Sequence, residues 1–203
     1  MNIAYWVRRP HLIVARIRYW LWEQANPDQP WFCPGAVLFC EGILTQSMQV
    51  LEFGSGRSTL WFAHRVGRIA SVEHSPLWFG RVESAIARNQ LKNVDYRFVP
   101  LDHSETEPEQ ESYDHLPKYV SVLDTFPNQS LDLVLVDGHY RTACIRQCTP
   151  KVKPGGFLLV DDVDIWGGVE RVPTGSAWSL VHESTNGLKS TAVWQRLKVS
   201  EHS

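Results

Sequence analysis

The segment VLEFGSGRSTLW, residues 50–61, joins a short apolar run to a glycine-rich turn and the polar beginning of a helix. A strand, a tight turn and a helix in this order present backbone N–H groups at a helix N-terminus, where they can hold an adenosine-bearing ligand. The ligand that this turn holds decides the function of the chain, so three kinds of turn have to be compared.

A P-loop requires the pattern G-x-x-x-x-G-K-[ST], in which the first glycine lets the loop wrap around phosphates. Gly56 and Ser58 match the end of this pattern, but Arg57 replaces the lysine and Leu51 stands in place of the first glycine. The segment therefore does not have the residues of a P-loop.

A dinucleotide-binding turn requires G-x-G-x-x-G. Gly54 and Gly56 match, whereas Thr59 replaces the third glycine, whose role is close packing of the helix on the strand. Glu73 follows about 20 residues later, at the end of the next apolar run, where a carboxylate can accept both hydroxyls of a ribose. The combination indicates an adenosine ligand without requiring a pyrophosphate.

Apolar runs and amphipathic segments alternate along the chain from residue 48 onward. Short runs of strand type are followed by segments of helical spacing, such as 141–153, and two strand-like segments around an NGLK turn close the chain. This alternation predicts one α/β domain with a largely parallel sheet. We expect a single domain over residues 1–203, a helical or lid segment at 1–35, a core at 48–196 and a long polar loop at 102–119.

The composition excludes some classes of protein. Apolar residues make up 43% and charged residues 21% of the chain, which is typical of a soluble globular domain. The net charge of -2 gives no support to nucleic-acid binding, so no nucleic-acid partner is expected. The cysteines lack the paired spacing of a zinc site, and we expect reduced, structural thiols at Cys33, Cys40, Cys144 and Cys148.

The segment HLIVARIRYWLW, residues 11–22, is apolar and aromatic, but it contains Arg16 and Arg18 and is too short to span a bilayer. No small-residue cleavage pattern follows it, so a signal peptide is not expected and the expected location is cytoplasmic. A basic helix of this kind can lie on a membrane surface or against a partner, or it can pack on its own domain. Packing on the domain is the favoured interpretation.

Taken together, the motifs resemble those of class I S-adenosylmethionine-dependent methyltransferases, and most of all bacterial small-molecule methyltransferases. VLEFGSGRSTLWFA resembles motif I with Ser58 in place of its last glycine, and SVEHS resembles the acidic motif of the second strand. LDLVLVDGHYR and VKPGGFLLVDD resemble the motifs of the fourth and fifth strands, and the matches cover residues 30–196 in the family's order. The resemblance implies S-adenosylmethionine as cofactor and a Rossmann-like, doubly wound, mostly parallel seven-stranded sheet with an antiparallel C-terminal hairpin and helices on both faces.

The same resemblance implies which residues bind the cofactor. Backbone amides of the glycine turn face its amino-acid part, and Glu73 binds its ribose. Asp102 either meets the adenine amino group or is an acid of the following loop. The full predicted set is Glu52, Phe53, Gly54, Ser55, Gly56, Ser58, Thr59, Glu73, His74, Asp102 and Asp137.

Asp137 and His139 follow the fourth strand and are the predicted catalytic residues, because ligands of parallel sheets bind at the carboxyl ends of the strands. An oxygen nucleophile has to lose its proton, and histidine titrates near neutrality, so His139 is the preferred base. The alternative is that His139 only orders the loop or the cofactor. Arg141 either orients an acidic substrate or starts the next helix and pairs with a nearby carboxylate.

Asp161 and Asp162 end the fifth strand and are expected to converge with Asp137. Three carboxylates can hold Mg²⁺ and lower the pKa of a bound hydroxyl. The pattern resembles the metal site of catechol-type O-methyltransferases, with Asp162 in place of an asparagine. The favoured alternative is that these acids cap or hydrogen-bond loops.

The predicted function is therefore methyl transfer to an oxygen of a small molecule, with nitrogen as the second choice of acceptor atom. An NAD-dependent oxidoreductase and a non-catalytic cofactor-binding module that docks a partner or membrane stay open. Trp31 and Phe32 are expected to form a lid over the cofactor. Trp78 and Phe79 are expected to pack the helix after the second strand, with direct contact to the adenine as the less favoured alternative. The acceptor pocket is expected to involve the N-terminal segment, the acidic loop and residues 166–176.

Overall fold

The computed structural model describes residues 10–102 and 115–198, and seven strands form one sheet in the order β3-β2-β1-β4-β5-β7-β6. Strands β1 to β5 pair in parallel, while β7 is antiparallel to both β5 and β6. This topology confirms the predicted mostly parallel seven-stranded sheet with an antiparallel C-terminal hairpin. The strands are β1 (Gln49–Phe53), β2 (Arg68–Glu73), β3 (Val94–Phe98), β4 (Leu131–Val136), β5 (Val152–Val160), β6 (Trp178–Thr185) and β7 (Ser190–Arg196).

The helices of the described residues precede and separate these strands. Proline stands in the first turn of three of them, at Pro10, Pro34 and Pro76, where its missing N–H costs no helical hydrogen bond. The α-helices are α1 (Pro10–Ala25), α2 (Pro34–Ile43), α3 (Arg57–Ala63), α4 (Pro76–Arg88), α5 (Lys118–Ser121) and α6 (Arg141–Cys148). Short 3₁₀ helices span Val122–Thr125, Val163–Trp166 and Val169–Arg171.

The alternation of side chains along the central strands produces two hydrophobic cores, one on each face of the sheet. On β1, Val50 lies in the core that contains residues of α2 and α3. Its neighbours Leu51 and Phe53 lie in the core that contains residues of α5 and α6. Because both faces are covered, the central strands are mostly apolar, as is typical of a buried parallel sheet.

The strand order reverses between β1 and β4, which lie side by side near the centre of the sheet. From β1 the chain proceeds through β2 to β3 on one side, and β4 leads to β5 on the other. The helices that follow β1 and β4, α3 and α6, pack on opposite faces of the sheet and leave a crevice at the carboxyl edge, where ligands of such sheets bind. The fold thus places the glycine turn of residues 50–61 at this crevice.

Two predicted boundaries were wrong. The helix predicted at 141–153 ends at Cys148, and Val152 already belongs to β5. Pro150 lacks the N–H that would continue the helical hydrogen bonds, so the helix stops before it. The loop predicted at 102–119 is also too long, because α5 begins at Lys118.

Three other predictions concern the periphery of the domain. The glutamates of the acidic loop, Glu105, Glu107, Glu109 and Glu111, lie outside the described residues. All four cysteines are free and buried, in agreement with structural thiols. Among the described residues, no helix is both long enough and apolar enough to cross a bilayer.

Candidate functional site

The turns after β1, β2 and β4 surround a cavity of about 380 Å³ at the carboxyl edge of the sheet. A volume of this size lies within the range of small-molecule and cofactor sites. The cavity brings together predicted residues from three separate segments of the sequence. It is lined by Gly54, Ser55, Glu73, His74, Ser75, Trp78, Asp137, Gly138 and His139.

Gly54 and Gly138 hold the turns after β1 and β4 in direct contact. Gly54 has a φ of +90°, and a Cβ at this position would lie 2.7 Å from the Cα and N atoms of Gly138. A Cβ at Gly138 would in turn lie 2.8 Å from the N atom of Gly54. Both positions therefore need glycine for the packing of the two turns, whatever ligand the cavity takes.

Gly56 differs from Gly54, although both belong to the same turn. Its φ of 176° is extended backbone, and a Cβ there would have no neighbour closer than the Ser58 Oγ atom at 3.8 Å. The protein itself therefore does not require glycine at this position. A ligand that approaches the backbone at Gly56 would require it.

Glu73 is almost completely buried at the end of β2, and four donors surround its carboxylate. The N–H and hydroxyl of Ser55 donate to Oε2 at 3.1 and 2.8 Å, and the N–H groups of His74 and Ser75 donate to Oε1 at 2.9 and 2.8 Å. The Ser55 Oγ atom also lies 2.7 Å from the Tyr96 hydroxyl. Glu73 thus joins the turns after β1 and β2. The hydrogen bond that the Ser55 hydroxyl donates to Glu73 is of the same kind as one that a ribose hydroxyl would donate.

Glu52 lies behind the glycine turn and does not line the cavity. Its side chain is fully buried, and the hydroxyls of Thr59 and Ser71 each donate to its Oε2 atom at 2.5 Å. Burial raises the pKa of Glu52 to about 7, although its hydrogen bonds act in the opposite direction. This predicted cofactor residue supports the turn from behind.

Thr59 connects that buried acid to the backbone of the turn, because its Oγ1 atom accepts a hydrogen bond from the Gly56 N–H at 3.0 Å. Ser58 and Phe53 are also buried and are absent from the cavity lining. These three residues of the predicted cofactor set therefore stabilise the turn and do not line the cavity.

Asp102 lies away from the glycine turn, next to the start of α5. Its Oδ1 atom accepts a hydrogen bond from the backbone N–H of Lys118 at 3.1 Å. Asp102 does not line the cavity. The geometry agrees with the alternative that Asp102 is a loop acid that caps the following helix.

Asp137, Asp161 and Asp162 converge as expected, with one carboxylate oxygen from each within 4.8 Å of the others. Two basic side chains, those of Arg141 and Lys189, form ion pairs with these carboxylates. Arg141 Nη2 is 3.2 Å from Asp137 Oδ1 and 3.5 Å from Asp162 Oδ2. Lys189 Nζ forms a short ion pair with Asp161 and is 3.5 Å from Asp162 Oδ1.

The charges of this cluster shift its pKa values. Burial and the negative charge of Asp161 raise the pKa of Asp137 well above the ordinary range of an aspartate, although Arg141 acts against this shift. Burial also raises the pKa of Asp161, and the ammonium of Lys189 opposes the rise. Thr191 donates a further hydrogen bond to Asp161 at 2.5 Å. The cluster is therefore a closed network of acids, cations and a hydroxyl.

A divalent cation does not fit this network. Three carboxylates are suitable ligands for Mg²⁺ by their chemistry, but Lys189 and Arg141 contact the oxygens that the ion would need. The predicted metal role of Asp137, Asp161 and Asp162 is therefore not supported, and the favoured alternative of acids that bind loops describes the arrangement. Arg141 starts α6 and pairs with carboxylates, as one of its two interpretations proposed.

His139 lies at the rim of the cavity, beside a second histidine. Its ring centroid is 5.8 Å from that of His74 and 4.5 Å from that of Tyr140. Tyr140 has a left-handed backbone conformation with a φ of 52°, which turns the chain from β4 into α6 directly after His139. Two imidazoles thus line the cavity on the side that Asp137 also borders.

Aromatic side chains cover the Ser55 side of the cavity. Trp78 Nε1 donates to the Ser55 carbonyl at 2.6 Å, and the ring of Trp31 lies 5.9 Å from that of Trp78. The Arg57 guanidinium lies over Trp31 at 5.1 Å. Trp31 therefore lies near the cavity as a lid would, and Trp78 lines the cavity instead of only packing its helix.

The phenylalanines that follow these two tryptophans in the sequence, Phe32 and Phe79, are both involved in packing. Phe32 is 1% exposed and belongs to the hydrophobic core, so its predicted lid role was wrong. The apolar residues around it, from α2 and α3, bury it on the α2 side of the sheet. Phe79 stacks on Tyr96 at 4.4 Å, in agreement with its predicted packing role.

Sequence reasoning missed Lys189 and Thr191, which complete the carboxylate cluster. The signal is the strand order, because β7 pairs antiparallel with β5 and its first residues lie beside the end of β5, as the pair Val160 and Ala192 shows. A hairpin turn after residue 185 therefore has to lie at the same edge as Asp161. The sequence alone did not say that β7, rather than β6, pairs with β5.

The sheet order and the crevice between β1 and β4 define a Rossmann-like α/β protein with a cofactor-type site. A family model described as a methyltransferase domain matches residues 51–163, more than half of the chain, and the chain belongs to this methyltransferase family. It is the family of class I S-adenosylmethionine-dependent methyltransferases that the motifs resemble. No curated protein matches the chain by sequence.

Solved structures share the fold. A SAM-dependent methyltransferase from Aquifex aeolicus is 13% identical at a TM-score of 0.56, and the match covers 86% of this chain and 96% of that one. A protein from Streptococcus mutans in complex with SAH is 8% identical at a TM-score of 0.56, covering 78% and 94%. An rRNA methylase from Streptococcus thermophilus is 11% identical at a TM-score of 0.56, covering 79% and 93%. At these identities the likeness concerns the fold.

Proposed function

We propose that this protein transfers the methyl group of S-adenosylmethionine to an oxygen atom of a small molecule. One observation carries the proposal. Residues of three separate motifs, including Gly54, Glu73 and His139, line one cavity at the switch point of the sheet. The switch point is where this class of sheet binds its ligand.

The cofactor would bind along the turns after β1 and β2. The backbone at Gly54 and Ser55, which lines the cavity, suits the close approach of its amino-acid part, and the Glu73 carboxylate suits the hydroxyls of its ribose. A ribose hydroxyl would take over the contact that the Ser55 hydroxyl makes with Glu73. Trp78 would then lie beside the adenosine.

Methyl transfer is an in-line displacement, in which the acceptor oxygen attacks the methyl carbon as the carbon–sulfur bond breaks. The sulfonium becomes the neutral thioether of S-adenosylhomocysteine, and the hydroxyl proton has to move to a base. We assign that base to an imidazole nitrogen of His139, which lines the cavity. Asp137 is less suited, because its Oδ1 atom is already paired with the Arg141 guanidinium at 3.2 Å.

A second cavity supports a small acceptor. It has a volume of about 570 Å³ and lies between α1, the start of α2 and the turn between β6 and β7. Tyr19 lines it and donates a hydrogen bond to the Trp31 carbonyl at 2.7 Å, and Trp31 in turn contacts the cofactor-side Trp78. Its size and its aromatic and aliphatic lining suit a partly apolar small molecule, and side chains of α1 such as Val14 and Tyr19 form part of its wall.

Isothermal titration calorimetry with S-adenosylmethionine, S-adenosylhomocysteine and NAD⁺ tests the cofactor. We expect micromolar binding of the first two and no heat with NAD⁺. Binding of NAD⁺ alone would replace the proposal with an oxidoreductase.

Transfer of a radiolabelled methyl group to a panel of phenols, hydroxy acids and sugars tests the reaction. The variant His139→Gln should lose about 100-fold or more in rate while it keeps cofactor affinity, because general-base catalysis contributes about 10²–10⁴-fold. The control His64→Gln changes an exposed histidine outside the cavity and should keep full rate. Cofactor binding without transfer to any acceptor would favour the non-catalytic module.

A further inference from the structure

Helix α1 (Pro10–Ala25) is apolar on two opposite sides. One side packs on the domain, where Tyr19 is buried and its hydroxyl donates a hydrogen bond to the Trp31 carbonyl at 2.7 Å. This contact satisfies the expectation that the segment packs on its own domain. It accounts for only part of the apolar surface of the helix.

The other side of α1 leaves its large apolar side chains exposed. Successive members are separated by one or three positions, which places them on one continuous face of the helix. Each is more than one third exposed, and together they form the largest group of exposed apolar residues on a single described helix. This exposed face of α1 consists of Ile13 39%, Val14 57%, Ile17 53%, Trp20 51% and Leu21 55%.

Positive charges border this face. At about 100° per residue, Arg16 falls on one border of the exposed face and Arg18 on the other. The only acid of the helix, Glu23, lies next to Arg16, slightly farther from the exposed face, and pairs with it at 3.6 Å. Residues 1–22 contain four arginines and no aspartate or glutamate.

We propose that the exposed face of α1 docks the protein on the surface of an anionic lipid bilayer. An apolar face that contains a tryptophan and is bordered by arginines is the arrangement of helices that lie in the membrane interface. The apolar side chains would enter the boundary between headgroups and acyl chains, and the arginines would contact lipid phosphates.

A second copy of the chain is a poorer occupant of this face. Closed dimers are usually two-fold symmetric, so the same surface meets itself. Ile17 lies at the centre of the exposed face, and a two-fold contact across it would bring Arg16 and Arg18 of both copies together. Like charges at this spacing repel, whereas anionic headgroups attract all of them.

Docking would also orient the acceptor-side cavity. Val14 belongs to the exposed face, and it also lines the cavity of about 570 Å³ together with Arg18. The bilayer surface would therefore lie next to the mouth of this cavity. The docking itself does not depend on the proposed reaction.

Flotation of the full-length protein with unilamellar vesicles tests the proposal. In about 0.1 M salt, the protein should float with equimolar POPC and POPG vesicles and bind pure POPC vesicles at least about tenfold more weakly. Trp20→Glu and Ile17→Glu should each weaken binding by about tenfold or more, because each removes apolar contact and adds a repelled charge. Arg18→Glu should weaken it at least about fivefold, as expected for the loss of one cation near the surface.

A matched control is Leu180→Glu, which places the same charge at an exposed leucine of β6 and should float like the wild type. Circular dichroism and a thermal melt confirm that each variant is folded. Wild-type protein that stays unbound with POPG vesicles, or an Ile17→Glu variant that still floats fully, would overturn the proposal. A dimer in light scattering that Ile17→Glu converts to monomer, with no flotation of either, would assign the face to a second copy instead.

Discussion

The carboxylates at the carboxyl edge of this sheet are stabilised in different ways on its two sides. At the ends of β1 and β2, Glu73 is held by backbone N–H groups and a hydroxyl, and Glu52 is hydrogen-bonded to two hydroxyls and has a raised pKa. At the ends of β4 and β5, Asp161 and its neighbours are paired with Arg141 and Lys189.

Because of this difference, a ligand could replace a hydrogen-bond partner of Glu73, whereas the ion pairs of Asp161 leave no place for a ligand. A hydroxyl on Glu73 can be replaced by a ligand hydroxyl of the same chemistry. The ammonium of Lys189 cannot be displaced from Asp161 without leaving a buried charge uncompensated, which is costly. Strand-end acids that look alike in sequence therefore have different partners in the fold.

The largest expected effect separates the two glycines of the turn. Gly54→Ala should destabilise the protein by about 3 kcal/mol or more, because it adds a backbone clash to a left-handed φ. Gly56→Ala should keep the free energy of unfolding within about 1 kcal/mol of wild type and lose cofactor affinity instead. Urea unfolding and calorimetry measure the two effects, and equal destabilisation by both variants would contradict the distinction.

Removal of the lysine tests whether the cluster of Asp161 is complete. Lys189→Met should destabilise the protein by about 3 kcal/mol at pH 8, because a buried acid loses its cation. The same variant should gain Mn²⁺ binding, measured by calorimetry, since the carboxylate oxygens become free. Lys153→Met removes a more exposed ion pair with Asp132 and should cost less than about 1 kcal/mol with no gain of metal binding. Strong Mn²⁺ binding by the wild type would refute the closed network.

On the other side of the edge, Glu73→Gln should weaken S-adenosylhomocysteine binding on the order of 100-fold. The reason is the loss of charge-assisted hydrogen bonds to the ribose. Glu83→Gln on the exposed surface of α4 is the control and should bind as wild type does. A Glu73→Gln protein that melts normally but binds with unchanged affinity would remove Glu73 from the cofactor site.

The last expected effect concerns Glu52, whose contribution to the free energy of unfolding depends on pH. Because the folded pKa of about 7 exceeds the usual value of 4.5, the folded state binds more protons than the unfolded state between these values. The contribution of Glu52 to stability is therefore complete below pH 4.5 and is lost as the pH rises through 7. Glu52→Gln should be about 3 kcal/mol more stable than wild type at pH 8.5 and similar to it at pH 4.5. Identical pH profiles would show that Glu52 is ionised in the fold without cost.

Much of the fold could be predicted from the sequence, because strand and helix periodicity and the glycine turn are local properties. The resemblance also selected Gly54, Glu73 and His139, which line one cavity. It placed Glu52 and Asp102 in the same set, although the structure puts one behind the turn and the other beside α5. Local sequence does not specify which side of a turn a side chain occupies, since that depends on packing against other elements.

The sequence by itself determined the α/β alternation, the class of cofactor and the strand ends that carry acids. Only the tertiary structure decided what each acid meets. Lys189 reaches Asp161 because β7 inserts next to β5, and the two residues are far apart in the chain. Pairing of this kind is set by strand order and register, which bring distant segments together. Whether an acid can bind a ligand or is held by a buried ion pair is therefore decided only in the assembled sheet.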